Sequence, residues 1–156
     1  MTIFEMWIQP KPELASYAEA FLLDKKYIAH TDYQLLLSAA DKGGQRWLFT
    51  RLGFGVDSKN YASGPARCET GVWYHVAFTY DGAGAGRFYR DGVALGGANR
   101  PSRSGIAPGS HPLSIGGRLG SLYHGLPGFI AQVRLSRGVL VMMDCDVLTS
   151  TVAERI

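Results

Sequence analysis

Charge is scarce in this chain. Asp, Glu, Lys and Arg make up 19% of its 156 residues, with 16 basic against 13 acidic side chains and a formal net charge of +3. That is below the share usual in soluble domains. The arginines are spread from Arg46 to Arg155 and form no block of like charge, which argues against the dense basic footprint of a nucleic-acid binder. Cysteine is scarcer still. Cys68 and Cys145 lie 77 positions apart, a separation that fits no metal-binding spacing. Two readings of them stay open: a pair of buried thiols, or one long-range disulfide contributing roughly 3–4 kcal/mol. No apolar run approaches the length of a membrane-crossing helix. The opening TIFEMWIQ lacks the basic and long apolar regions of a secretion signal, so the compartment is left open.

Catalytic motifs are missing as well. Glycosidases use two nearby carboxylates, but no Glu-x-Asp-x-x-Glu occurs, and Glu5, Glu13, Glu19 and Glu69 each lack a paired acid. There is no Gly-x-Ser-x-Gly elbow and no His-Glu-x-x-His. The GAGAG at 82–86 lies between two strand-like runs with no helix after it, so it is not a dinucleotide fingerprint. These absences argue against an enzyme.

What remains is glycine, aromatics and alternation. Gly numbers 20, hydrophobic residues make up 46% and aromatics 12%. In residues 2–9, Phe4, Met6 and Ile8 share one face, while Ile3, Glu5 and Trp7 share the other. Residues 33–37 and 46–52 read as strands, the latter with Leu48, Thr50 and Leu52 on one side, and Asp41–Gly44 as a turn between them. In WYHVAFTY at 73–80, Tyr74, Val76, Phe78 and Tyr80 point one way and Trp73, His75, Ala77 and Thr79 the other. Asp81-Gly82 and Asp91-Gly92 bracket a returning strand, RFYRD. Residues 113–116 and 128–136 add two more, the last with Phe129, Ala131, Val133 and Leu135 inward. Residues 13–22 are equally a short helix or a loop entering a strand. Residues 57–71 and 96–111 read as loops. About eight to ten short strands without a long helix predict an all-β sandwich or barrel in one domain, 1–156.

The run Gly71-x-Trp73-x-His75-Val76-Ala77-x-Thr79-Tyr80-Asp81-Gly82, then Phe88-Tyr89-Arg90-Asp91-Gly92, Leu113-x-Ile115-Gly116 and Gly128-x-Ile130-x-x-Val133-Arg134-Leu135 carries a likeness. With Phe4-Glu5-Met6-Trp7-Ile8, it resembles the laminin-G-like branch of the concanavalin A-like lectin/glucanase superfamily over roughly residues 3–137. The resemblance implies a jelly-roll β-sandwich of two curved antiparallel sheets, extracellular use, binding of glycans or proteins, and in many members calcium. It also implies structural roles for Trp7, Trp73, His75, Asp81, Gly82, Asp91, Gly92, Gly116 and Gly128. Two departures stand out. The hairpin that usually precedes the strand matching residues 3–8 has no counterpart, and Ala131 stands where an acid normally follows the isoleucine. The tail 138–156 diverges too. Its VLVMM at 139–143 is expected to fill the vacant sheet edge, within the chain or across a homo-oligomer.

Loop aromatics on a rigid sandwich are natural recognition groups. Tyr61, Tyr123 and His124 are therefore ligand-binding candidates, with Arg118 as a partner for hydroxyls or carboxylates; the competing reading is that they cover the sandwich ends. Trp73 and His75 are either a sugar-stacking pair or a packed Trp and a hydrogen-bonded His. Calcium needs several converging oxygens; Asp57, Asn60 and Asp81, with Asp32 and Asp91, are its candidates, although Asp before Gly also suits a turn. The expectation is a non-catalytic binding module, for carbohydrate first and for a protein surface second, with a glycosidase-like enzyme third.

Overall fold

The computed structural model describes residues 1–122 and 124–137. Ten strands and one 3-10 turn, Pro12–Ser16, make up its regular structure. One sheet runs in the order β10 (Gly128–Arg137), β1 (Thr2–Pro10), β6 (Tyr74–Tyr80), β7 (Ala85–Arg90), β8 (Val93–Asn99). The other runs β5 (Ser58–Pro65), β4 (Trp47–Gly53), β3 (Tyr33–Leu37), β2 (Ala20–Asp24), β9 (Ser114–Ile115). All pairings between these strands are antiparallel. This is the all-β sandwich expected from the alternation, in the two-sheet jelly-roll form that the family resemblance implies. No helix among the described residues is long and apolar enough to cross a membrane.

The core lies between the sheets because the strands alternate. Phe4, Met6 and Ile8 from β1 meet Val76, Phe78 and Tyr80 from β6 and Phe88 from β7, all essentially buried. Leu23, Leu35, Leu37, Leu48, Leu52 and Tyr61 answer from the second sheet. Phe78 is its aromatic hub, with ring centroids 4.7 Å from Phe88, 5.8 Å from Tyr61 and 5.9 Å from Phe4. Room for these rings comes from Gly86: a Cβ there would lie 2.6 Å from the Tyr61 ring and 2.8 Å from that of Phe78.

Both Asp-Gly pairs are turns, by two mechanisms. Asp91 and Gly92 take φ of +48° and +76°, and Arg90 pairs with Val93 across them, a two-residue loop of the kind that suits hairpin twist. Asp81 instead uses its side chain, Oδ1 accepting the N–H groups of Ala83 at 2.7 Å and Ala85 at 2.9 Å. Asp41 does the same for Gly43 and Gln45.

Three expectations are corrected. Residues 57–71 are not all loop: β5 occupies Ser58–Pro65, its polar and glycine-containing sequence hiding a strand that pairs with β4. The segment 96–111 begins as strand, since β8 reaches Asn99. The third concerns β10, where Gln132 takes φ +50° and the register to β1 shifts between Glu5 and Trp7. This bulge flips the alternation. Ile130, opposite Ile8, and Val133 pack on the core, while Phe129 is 51% exposed and Ala131 sits opposite Trp7 on the outer face. The segment 139–143 lies outside the described residues, as does Cys145.

Phe129→Ser is expected to change unfolding free energy by no more than about 0.5 kcal/mol. Ile130→Ser is expected to cost about 2 kcal/mol, through lost burial. Chemical denaturation of the two variants checks this, and the reverse ranking would refute the bulge.

Candidate functional site

The outward residues of β1 and its two neighbours build one surface. Opposed residues in a sheet share a face. Trp7 is opposed by His75 on β6 and Ala131 on β10, and Glu5 by Ala77 and Arg134. Because Ala131 is small, the surface dips beside Trp7. A shallow groove of about 260 Å³ results, lined by Trp7, Trp73, Ala131 and Gln132. Trp73 immediately precedes β6 and is 42% exposed. Its ring centroid lies 6.4 Å from that of Phe129, and Lys11 Nζ lies 4.8 Å over the Phe129 ring. Gln9, next along β1, holds the approach to Trp73 by donating from Nε2 to the Gly71 carbonyl at 3.1 Å.

Beneath this aromatic rim lies a buried polar cluster. Glu5 and His75 are nearly inaccessible, at 4% and 6% exposed. His75 Nε2 is 3.2 Å from Glu5 Oε2, and Arg134 Nη1 is 3.9 Å from Oε1. These are approaches of charge-bearing groups rather than aligned hydrogen bonds. The His75 ring is itself 5.3 Å from that of Trp7. Asp91 locks the His75 backbone, its Oδ1 accepting the His75 N–H at 2.8 Å while its own N–H donates to the His75 carbonyl at 2.7 Å. Glu5, which has no acidic neighbour in sequence, is thus surrounded in space by an imidazole and a guanidinium. Period-two alternation puts Glu5 and Trp7 on one face and Trp73 and His75 on another; the pairing of β1 with β6 joins the two faces.

The other sequence candidates are dispersed. Tyr61 is on β5 rather than in a loop, and is fully buried. Arg118 stacks by its guanidinium over Tyr27 and Phe21, 4.7 and 5.1 Å from the ring centroids. His124 is exposed and stacks on Tyr17 at 4.6 Å. Tyr123 lies outside the described residues. Trp73, given a structural role by the resemblance, is half-exposed and lies just before the first residue of β6. Gly116 takes φ +74°, and at Gly128 a Cβ would lie 2.1 Å from the Gln9 carbonyl oxygen.

The calcium candidates are engaged elsewhere. Asp57 Oδ2 is 2.6 Å from Arg103 and 3.1 Å from Lys59. Asp81 serves its turn, and Asp32 pairs with Lys25 at 3.0 Å. Asn60 is an exposed residue of β5 whose carbonyl receives Arg100 Nη2 at 2.9 Å. Among the described residues no group of three His, Cys, Asp or Glu is placed to hold a metal ion. Among the described residues these candidates therefore do not converge on one point, and Asp57, Asp81 and Asp32 are each already engaged by a cation or a turn.

The two antiparallel sheets define a β-sandwich domain, and the sequence assigns its family. Residues 1–143 match the profile of the concanavalin A-like lectin/glucanases superfamily in its Laminin_G_3 form, and the chain belongs to that family. No curated protein matches it. Among solved structures it is similar to the CBM40 of the Ruminococcus gnavus IT-sialidase, at 17% identity and TM-score 0.69 over 97% of this chain and 82% of that one. That module has also been solved bound to α2,3 sialyllactose. The heptameric SAP-like pentraxin of Limulus polyphemus is similar at 16% identity and TM-score 0.61, over 86% of this chain and 62% of that one. Domains LG4-5 of the mouse laminin α1 chain follow at 14% and 0.64, over 86% and 35%. At these identities the likeness establishes the fold alone.

Tyr61 has a measurable structural role. Its hydroxyl donates to the Gly84 carbonyl at 3.1 Å, and burial, the largest cause, pushes its pKa from 10.0 up to about 12. The raised folded-state pKa contributes stability that is present below pH 10 and is lost as pH climbs toward 12. Unfolding free energy is expected to fall across that window, and Tyr61→Phe to flatten the fall. Denaturation series at stepped alkaline pH check it; an equal slope in both proteins would count against the assignment.

Proposed function

We propose that the protein is a non-catalytic carbohydrate-binding module whose groove at Trp7, Trp73 and Ala131 receives a sugar ring. One observation carries the reading: an apolar aromatic groove stands open on a sheet face, with Trp73 and Phe129 at 42% and 51% exposed. Such rings present a broad rigid surface to a pyranose C–H face, and Gln132 supplies an amide for hydroxyls. The bound sialyllactose of the similar CBM40 supports the substrate class. Catalysis has little support on this face, because Glu5 is buried against His75 rather than set beside a second carboxylate.

A second reading rests on a separate feature. Among the described residues β10 pairs on one side only, and a ten-residue edge can add a strand from a protein partner or a second copy. Light scattering at several concentrations tests it, a constant monomer mass ending the self-association form.

A glycan array with the wild-type protein, repeated with and without chelator, tests the first reading. Trp73→Ala is expected to weaken the best glycan by about tenfold or more, near 1.4 kcal/mol. Ala131→Leu is expected to block it similarly by filling the floor, with thermal stability kept. Undiminished binding in both variants, or no glycan above background, would remove the groove from the reading. Loss of binding with chelator would bring calcium into it.

A further inference from the structure

A second depression, of about 290 Å³, opens where the Pro12–Ser16 turn, the β3–β4 hairpin and the segment after β5 meet. It shares no lining residue with the groove. Leu14, Leu37 and Ala66, all buried, give it an apolar floor. Its charged lining is Arg46, Arg67 and Glu69.

Arg46 is the unusual member, at 9% exposed. Its Nη1 donates to the carbonyls of Ala18 at 2.5 Å and Ser38 at 2.8 Å, and its Nη2 to those of Leu14 at 2.7 Å and Tyr17 at 2.5 Å. A guanidinium has five N–H donors. The fifth, on Nε, has no acceptor among the described residues, and none of the ion pairs there includes Arg46. Burial lowers its pKa, with no neighbouring charge contributing, yet an arginine stays protonated. The fold therefore holds a buried cation against dipoles alone, on the wall of a cleft.

The surroundings reinforce the sign. Arg67 adds an exposed cation, and its backbone is fixed because Arg90 Nη1 donates to the carbonyls of Ala66 at 2.5 Å and Arg67 at 2.9 Å. Cys68 adds no opposing charge, since burial pushes its thiol up to about 11. Glu69 is the one acid on the lining, and it is exposed. A partly desolvated positive wall favours an anion, and an apolar floor favours one with an apolar body.

We propose that this cleft binds a small monocarboxylate carrying an apolar ring or chain, its carboxylate toward Arg46 and Arg67 and its body on Leu14, Leu37 and Ala66. The site is independent of the groove and of the glycan reading.

Benzoate titrated into the ¹⁵N-labelled protein is the test, with benzamide as the uncharged probe of similar shape. Saturable shifts are expected at the amides of Leu14, Ala15 and Arg67–Thr70, with benzamide weaker by about tenfold or more. Arg67→Ala, which removes no hydrogen bond made by that side chain, is expected to weaken benzoate by about fivefold. Ala15→Trp, at the exposed mouth, is expected to abolish its binding and leave the amides around Trp7 and Trp73 unmoved. The test does not depend on an Arg46 variant, which would free four carbonyls. Equal binding of the two probes, absent saturable shifts at these amides, or an unchanged affinity in Arg67→Ala would overturn the proposal.

Discussion

The structure depends on β1 being paired along both edges. Between β10 and β6 its nine residues have no freedom of register, because a slip of one position would turn every side chain to the other face. Phe4, Met6 and Ile8 then have to face the second sheet, where they meet Phe78 and the leucines. Glu5 and Trp7 then have to face outward, where they meet His75, Arg134 and Ala131. The same constraint therefore places both the core and the candidate site. Flanking strands also explain why Glu5 is buried on an outer face: its neighbours' long side chains close over it.

How legible this was in the sequence depended on the signal each element carries. Strands whose alternation separates apolar from polar residues, such as β4 and β6, could be placed along with the faces they present. The turns at Asp81-Gly82 and Asp91-Gly92 could be placed too, because Asp and Gly each have a conformational reason to be there. β5 could not, since SKNYASGP lacks a hydrophobic period; its single aromatic residue, Tyr61, is the one the core consumes, which is why it resembled a displayed loop aromatic. The Gln132 bulge left no mark because the extra residue keeps the composition and changes only the count. Half the site was readable as two separate faces. The missing half was the strand pairing that superimposes them.

The polar groups inside the sandwich are handled in different ways. Asp24, fully buried, spends one carboxylate oxygen on the Lys26 and Tyr27 amides and on Gln34 Nε2, and so anchors the loop between β2 and β3. Glu5 meets other side chains instead. Arg46 meets only main-chain carbonyls, which tie the Pro12–Ser16 turn and residues Tyr17 and Ala18 to the β3–β4 hairpin. Carbonyl dipoles satisfy hydrogen bonding but leave net charge in place. A carboxylate would have neutralised it, and its absence makes Arg46 electrostatically different from the paired Arg51 and Arg103.

That difference separates two surfaces that composition alone would have merged. A chain with few charges and many aromatics invites a single apolar recognition face. The outer sheet face is apolar around Trp7, since Glu5 and His75 are buried there and Ala131 stands where the family resemblance expects an acid. An acid opposite Trp7 would have put a second carboxylate near Glu5, on a face where like charges raise one another's cost of ionisation. Alanine removes that penalty and opens the groove in one substitution, so the departure from the family pattern changes what the face can contact while leaving the β1–β10 pairing intact. The cleft at Arg46 works by the opposite logic, keeping a charge where the groove has lost one.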